Sequence, residues 1–128
     1  MKILGIDPGS RITGYGIIAK DSEGLKGLEY GEIRQSRGES FSAVLVSVYE
    51  RLTRLIAAFQ PDALAIEDIF FGKNVQSLIK QGHVRGVAIL AGARKDVPVY
   101  EYTPLEVKKA VVGYGRAEKR QVQTMIGV

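Results

Sequence analysis

The sequence predicts an α/β fold built on a mixed five-stranded sheet, with three antiparallel strands continuing into parallel β-α-β units flanked by helices. Three observations predict it. Short apolar runs separated by glycine turns fill the first third of the chain, and fifteen glycines among 128 residues exceed the roughly 7% background. Phe41, Leu45, Val48, Leu52, Leu55 and Phe59 then recur at alternating four- and three-residue steps, the spacing of one helical face. Ala63-Leu64-Ala65-Ile66 is apolar without alternation, as expected of a strand covered on both faces in a parallel pairing.

Taken in order, Ile3-Leu4-Gly5-Ile6-Asp7 is a short apolar strand ending in an acid, and Pro8-Gly9-Ser10 is a turn. Thr13 to Ala19 is a second strand and Gly27 to Arg34 a third, so the opening is an antiparallel meander. Ser40 caps the first helix and Gln60-Pro61 stops it. The strand Ala63–Ile66 follows, bounded by Pro61-Asp62 and Glu67-Asp68. Asn74 to about Arg94 reads as a second helix, with Val75, Leu78, Ile79, Val87, Leu90 and Ala91 apolar. Its small residues, including Gly82 and Gly86, allow close approach of another element. Val97 to Tyr102 is a fifth strand. Thr103-Pro104 opens a further helix over Glu106 to about Val112, Gly113-Tyr114-Gly115 breaks it, and another helix begins at Ala117. No repeat or linker interrupts this order, so residues 1–128 are expected to form one domain.

Composition narrows the chemistry. The formal net charge is +4, which suits a polyanionic partner without requiring one. With no cysteine there is no disulfide, thiol catalysis or thiolate-bound metal. The single histidine, His83, excludes a multi-histidine metal site, and a lone histidine is more often structural than catalytic. No run approaches the roughly 20 apolar residues of a membrane span, and no signal-peptide pattern is visible, so a cytoplasmic protein without a membrane partner is expected.

Two acids stand out by position. Asp7 follows the first strand and Glu67 the fourth, and sites in α/β sheets gather at the carboxyl ends of strands. If those strands are parallel neighbours, both carboxylates reach one edge. Hard oxygen ligands without histidine or cysteine suit Mg²⁺, or Mn²⁺ as the alternative, and a pair of such ions can clamp a phosphodiester. The plainer reading, that an acid follows a strand because the strand has ended, stays open on spacing alone. The glycine hairpin after Asp7 adds backbone amides suited to a phosphate, an arrangement also found in ATPases of the actin class. The length of the chain disfavours that class.

The same residues carry a family resemblance. Leu4-Gly5-Ile6-Asp7-Pro8-Gly9-Ser10-Arg11-Ile12-Thr13-Gly14-Tyr15-Gly16 resembles the opening of the RuvC family of bacterial Holliday-junction resolvases. Ala65-Ile66-Glu67-Asp68-Ile69-Phe70-Phe71-Gly72-Lys73-Asn74 resembles its second acidic motif. Arg85-Gly86-Val87-Ala88, Tyr100-Glu101-Tyr102, Val111-Val112-Gly113-Tyr114-Gly115 and Ala117-Glu118-Lys119 continue the match in order. The resemblance implies an RNase H-like fold and a homodimer, with dimer contacts along the second helix. It also implies Mg²⁺-dependent nicking of two strands of a four-way DNA junction in recombination and repair, two ions per complete site, and branch-migration helicases as partners.

Carried over residue by residue, the resemblance makes Asp7 and Glu67 two of the catalytic, metal-holding acids. It makes Phe70 the aromatic that stacks at the opened crossover, a use that fits the exposed faces of unpaired bases. Lys108 and Lys119 match lysines near the scissile phosphate; Lys73, Arg116 and Arg120 extend a DNA-binding face, to which Lys80, Arg85, Arg94 and Lys95 are expected to add. The family's remaining acids lie in a C-terminal D-x-x-D helix, and no aspartate follows Asp96 here. The expectation is a nuclease domain lacking that helix, in which junction binding outlasts cleavage. A non-catalytic junction-binding dimer is the alternative.

Overall fold

The computed structural model describes residues 1–68 and 74–102. Along the chain these form β1 (Lys2–Asp7), β2 (Ile12–Asp21), β3 (Gly24–Arg34), α1 (Phe41–Phe59), β4 (Ala63–Glu67), α2 (Val75–Arg94) and β5 (Val99–Tyr102). The strands make one five-stranded sheet in the order β3-β2-β1-β4-β5. The pairs β1–β2 and β2–β3 are antiparallel, whereas β1–β4 and β4–β5 are parallel. This is the mixed sheet expected from the sequence. The helices expected over Glu106–Val112 and from Ala117 lie outside the described residues.

The meander is longer than its apolar pattern suggested. β2 runs on to Asp21 and β3 begins at Gly24, leaving Ser22 and Glu23 as a two-residue loop. Gly24 has φ 118°, open to glycine and strained for other residues, and the Asp21 side chain accepts a hydrogen bond from the Glu23 amide at 2.8 Å. Lys20, Asp21, Glu23 and Lys26 are charged because this end of the hairpin stands in solvent, and the charges hid the strand. The register shifts at Ile17/Ile18, where Leu28 is the extra residue of a β-bulge.

Both described helices cover the same face of the sheet. Ser40 caps α1 by accepting from the Ala43 amide at 3.2 Å, and Gln60 ends it in the left-handed region with its amide bonded to the Ile56 carbonyl. The buried stripe is Val44, Val48, Leu52, Leu55 and Ile56, with Phe41, Leu45 and Phe59 along its margin. It is therefore turned slightly from the expected stripe toward Val44 and Ile56. Asn74 caps α2 through the Gln76 and Ser77 amides. Val84, Ala88, Ala91 and Gly92 face inward, and a Cβ on Gly92 would stand 3.1 Å from the Leu64 side chain.

At the far end of α2, Asp96 adopts φ 56°. The Asp96 amide bonds to the Ala93 carbonyl and the Val97 amide to the Gly92 carbonyl, a Schellman closure. Val97 is used in that cap, so β5 begins at Val99 rather than Val97. Leu4, Ile6, Ile17, Leu64 and Ile66 meet Val48, Leu52, Val84, Ala88 and Ala91 in one core. Each Val, Leu or Ile among them contributes on the order of 1.5–3 kcal/mol by burial, and each alanine less. Side chains alternate along strands, so Asp7 and Glu67, next to the core residues Ile6 and Ile66, belong to the opposite face of the sheet. Among the described residues no helix is long and apolar enough to cross a membrane.

Candidate active site

β1 and β4 are parallel neighbours with Ile6 paired to Ile66, so both strands end together in an acid. The side chains of Asp7 and Glu67 are hydrogen-bonded to each other. Burial raises the pKa of the Asp7 carboxyl above its ordinary value of 3.8, and the hydrogen bond with Glu67 offsets part of that rise. Two carboxyls in contact at a partly buried position make negative charge costly there, and a bound cation would offset that cost.

The turn after Asp7 depends on glycine at one point. A Cβ on Gly9 would lie 2.0 Å from the Ile12 carbonyl oxygen, an impossible contact, so glycine there lets the chain fold tightly back into β2. Asp7 then pairs with Gly14 on β2, Gly14 with Glu32 on β3, and Glu67 with Tyr102 on β5. One row across the sheet thus reads Glu32, Gly14, Asp7, Glu67, Tyr102. Gly14 leaves the space beside Asp7 open, and a cleft of about 270 Å³ lies there between Asp7, Ile12, Tyr15, Tyr30 and Glu32. Glu32 stands two strand spacings from Asp7, roughly 9–10 Å, and its carboxylate is paired with Arg34 at 2.7 Å. Among the described residues no cluster of three or more His, Asp or Glu side chains is placed to hold a metal ion.

The structure thus brings together the two acids that sequence spacing could only suggest. Phe70, Lys73, Lys108, Arg116, Lys119 and Arg120 lie outside the described residues. His83 is exposed on α2 and meets the Phe41 ring edge-on at 6.1 Å, while the Lys80 ammonium lies 5.5 Å from the centre of the same ring. Arg85 corrects an expectation. Its guanidinium is committed to Asp68, at 3.0 Å, and to Glu101, and its side chain is only 16% exposed. It does not belong to a phosphate-binding surface. Among the described residues, nothing stands within 4 Å of where a Cβ on Gly86 would be. Tyr30 and Glu32 were missed from sequence, since their place beside Asp7 follows from a strand register that no local pattern reveals.

Comparison with known proteins agrees with this geometry. The sequence model described as "Crossover junction endodeoxyribonuclease RuvC" matches residues 3–128. A crossover junction endodeoxyribonuclease RuvC of Geotalea uraniireducens is 53% identical over 128 residues, covering 100% of this chain and 75% of the relative. A protein of the same description from Ruminiclostridium cellulolyticum is 48% identical over 126 residues, covering 98% and 76%. Among solved structures, T. thermophilus RuvC in complex with Holliday junction substrate superposes with TM-score 0.81 at 30% identity, over 100% of this chain and 81% of that one. Matched along nearly its whole length in sequence and in fold, with two acids meeting at the ends of parallel strands, this chain belongs to the RuvC family of crossover junction endodeoxyribonucleases.

Proposed function

We propose that this protein is a divalent-cation-dependent endonuclease that nicks four-way DNA junctions, with Asp7 and Glu67 as carboxylates that hold the cation. The observation that carries the reading is the hydrogen-bonded Asp7–Glu67 pair in a chain of this family. The donor set fits the ion: two hard carboxyl oxygen donors side by side, with no imidazole or thiolate beside them among the described residues. That chemistry favours Mg²⁺, with Mn²⁺ as a substitute. Held by Asp7 and Glu67, such an ion would supply activation of water for in-line attack and stabilisation of the leaving oxygen. Two ions per site is the finer proposal, and Asp7 and Glu67 supply only part of the donor set it needs.

The chain's own residues divide the remaining work. Asp7 and Glu67 fix where the scissile phosphate lies, and the open floor at Gly14 admits the strand. In this reading Phe70 stacks on an unpaired base at the crossover, and Lys73, Lys108, Arg116, Lys119 and Arg120 bind phosphates around it. The outer side of α2 supports a homodimer. Val75, Ile79 and Leu90 are exposed there, with Gly86 leaving space between them for a second copy of the helix. A dimer supplies two sites for two strands. Branch-migration helicases as further partners and a cytoplasmic location, where bacterial DNA lies, belong to the same reading.

The test is Asp7→Asn on a synthetic four-way junction. Mg²⁺-dependent nicking is expected to fall by more than the ~10–100-fold typical of losing a residue behind a metal ligand, with junction affinity retained. Unchanged nicking, or nicking and affinity lost together, contradicts the assignment.

A further inference from the structure

We infer that Arg85 is a positioning residue that holds Glu67 in its cation-ligating orientation, acting through Asp68. The inference rests on the reading of Glu67 as a cation ligand. Asp68 directly follows Glu67, and its amide bonds to the Tyr102 carbonyl at 2.8 Å, so the β4–β5 ladder extends one residue past the acid. Side-chain alternation turns Asp68 to the face that α2 covers. There the Arg85 guanidinium donates to the Asp68 carboxylate at 3.0 Å and to the Glu101 carboxylate on β5.

Three elements thus meet at one guanidinium. Arg85 is 16% exposed, whereas Asp68 and Glu101 are 43% and 52% exposed, so the arginine is the inner member and the acids reach down to it. Its Nε is buried with no hydrogen-bond partner among the described residues. Partial desolvation of a guanidinium is tolerated here because two carboxylates compensate it. Glu67 is consequently fixed on both sides: its own side chain bonds Asp7, and the next residue is held by backbone and side chain together. A carboxylate anchored only by its strand would lose rotational order at the strand end, where pairing stops.

The charge of Arg85 makes the test decisive. A cation-binding site close to a guanidinium should bind its ion more tightly when the guanidinium is removed, if electrostatics alone operate. Positioning predicts the opposite. The experiment titrates Mn²⁺ alone into the full chain and follows free Mn²⁺ by electron paramagnetic resonance. Arg85→Met is expected to weaken binding by about tenfold, the scale for residues that orient metal ligands, and Arg85→Lys to recover part of it. Asp68→Ala should weaken binding similarly and Glu101→Ala much less, although each removes one negative charge. The Asp68 and Glu101 variants keep the test valid if Arg85→Met does not fold. Unchanged or tighter binding in Arg85→Met, or equal effects of Asp68→Ala and Glu101→Ala, overturns the positioning role and leaves the Asp7–Glu67 site standing. A wild-type chain that binds no Mn²⁺ overturns the site itself.

Discussion

Two pairs of carboxylates meet at the end of β4, one on each face of the sheet, and they are treated in opposite ways. On the helix-covered face Asp68 and Glu101 share Arg85, so their charge is neutralised within the protein. On the other face Asp7 and Glu67 share a hydrogen bond with each other, and burial pushes Asp7 toward its protonated form. The first pair is arranged for cohesion. The second sets two carboxyls side by side at a partly buried position, and under the proposed function a divalent ion would offset the cost of its charge, as expected where stability is given up for chemistry. The surroundings follow the same division. The covered face is lined by Leu4, Ile6, Leu64 and Ile66, the other by the small residues Gly5, Gly14, Ala63 and Ala65 beside the acids.

The largest effect should come from the covered face. Leu64 is completely buried, and Leu64→Ala is expected to lower unfolding free energy by about 2–5 kcal/mol, read as a lower urea midpoint at unchanged slope. A loss well below that would mean the core there is looser than its packing indicates. Asp7→Asn should act with the opposite sign. A carboxyl whose pKa is raised by folding costs stability above its ordinary pKa, because the folded state binds the proton more tightly. In chelator at pH 7 the variant should therefore melt above the wild type, with the gain shrinking as pH falls through the raised pKa and vanishing below 3.8. Mg²⁺ should raise the melting temperature of the wild type and not of Asp7→Asn. Melting below the wild type at pH 7 would place Asp7 with the cohesive pair instead. The smallest effect concerns the DNA face: Lys119→Ala should reduce the salt dependence of junction binding by about one phosphate contact, and an unchanged slope removes Lys119 from that face.

Much of this division was legible in the residues themselves. The heptad-like stripe of α1, its Ser40 cap and its stop at Gln60-Pro61 are local signals, and the continuous run Ala63–Ile66 announces a strand in a parallel pairing; the cover expected on its second face is not supplied by either described helix. Asp7 and Glu67 stand out because each ends such a strand. What stayed hidden depends on register or on three-dimensional partners. The charged hairpin around Ser22-Glu23 shows little alternation because its residues stand in solvent, Leu25 excepted. The inward side of α2 is Val84, Ala88, Ala91 and Gly92, small residues that a search for large apolar ones passes over, while Ile79 and Leu90 face out. Arg85 looked like surface charge because nothing in its neighbourhood along the chain shows that Asp68 and Glu101 converge on it.

In the proposed function, Asp7 and Glu67 jointly hold a divalent cation at the ends of β1 and β4. An anomalous-difference map from crystals grown with Mn²⁺ tests it directly. A peak within coordination distance of both carboxylates is expected. A map in which Mn²⁺ is bound elsewhere, with the Asp7–Glu67 hydrogen bond undisturbed, would contradict it.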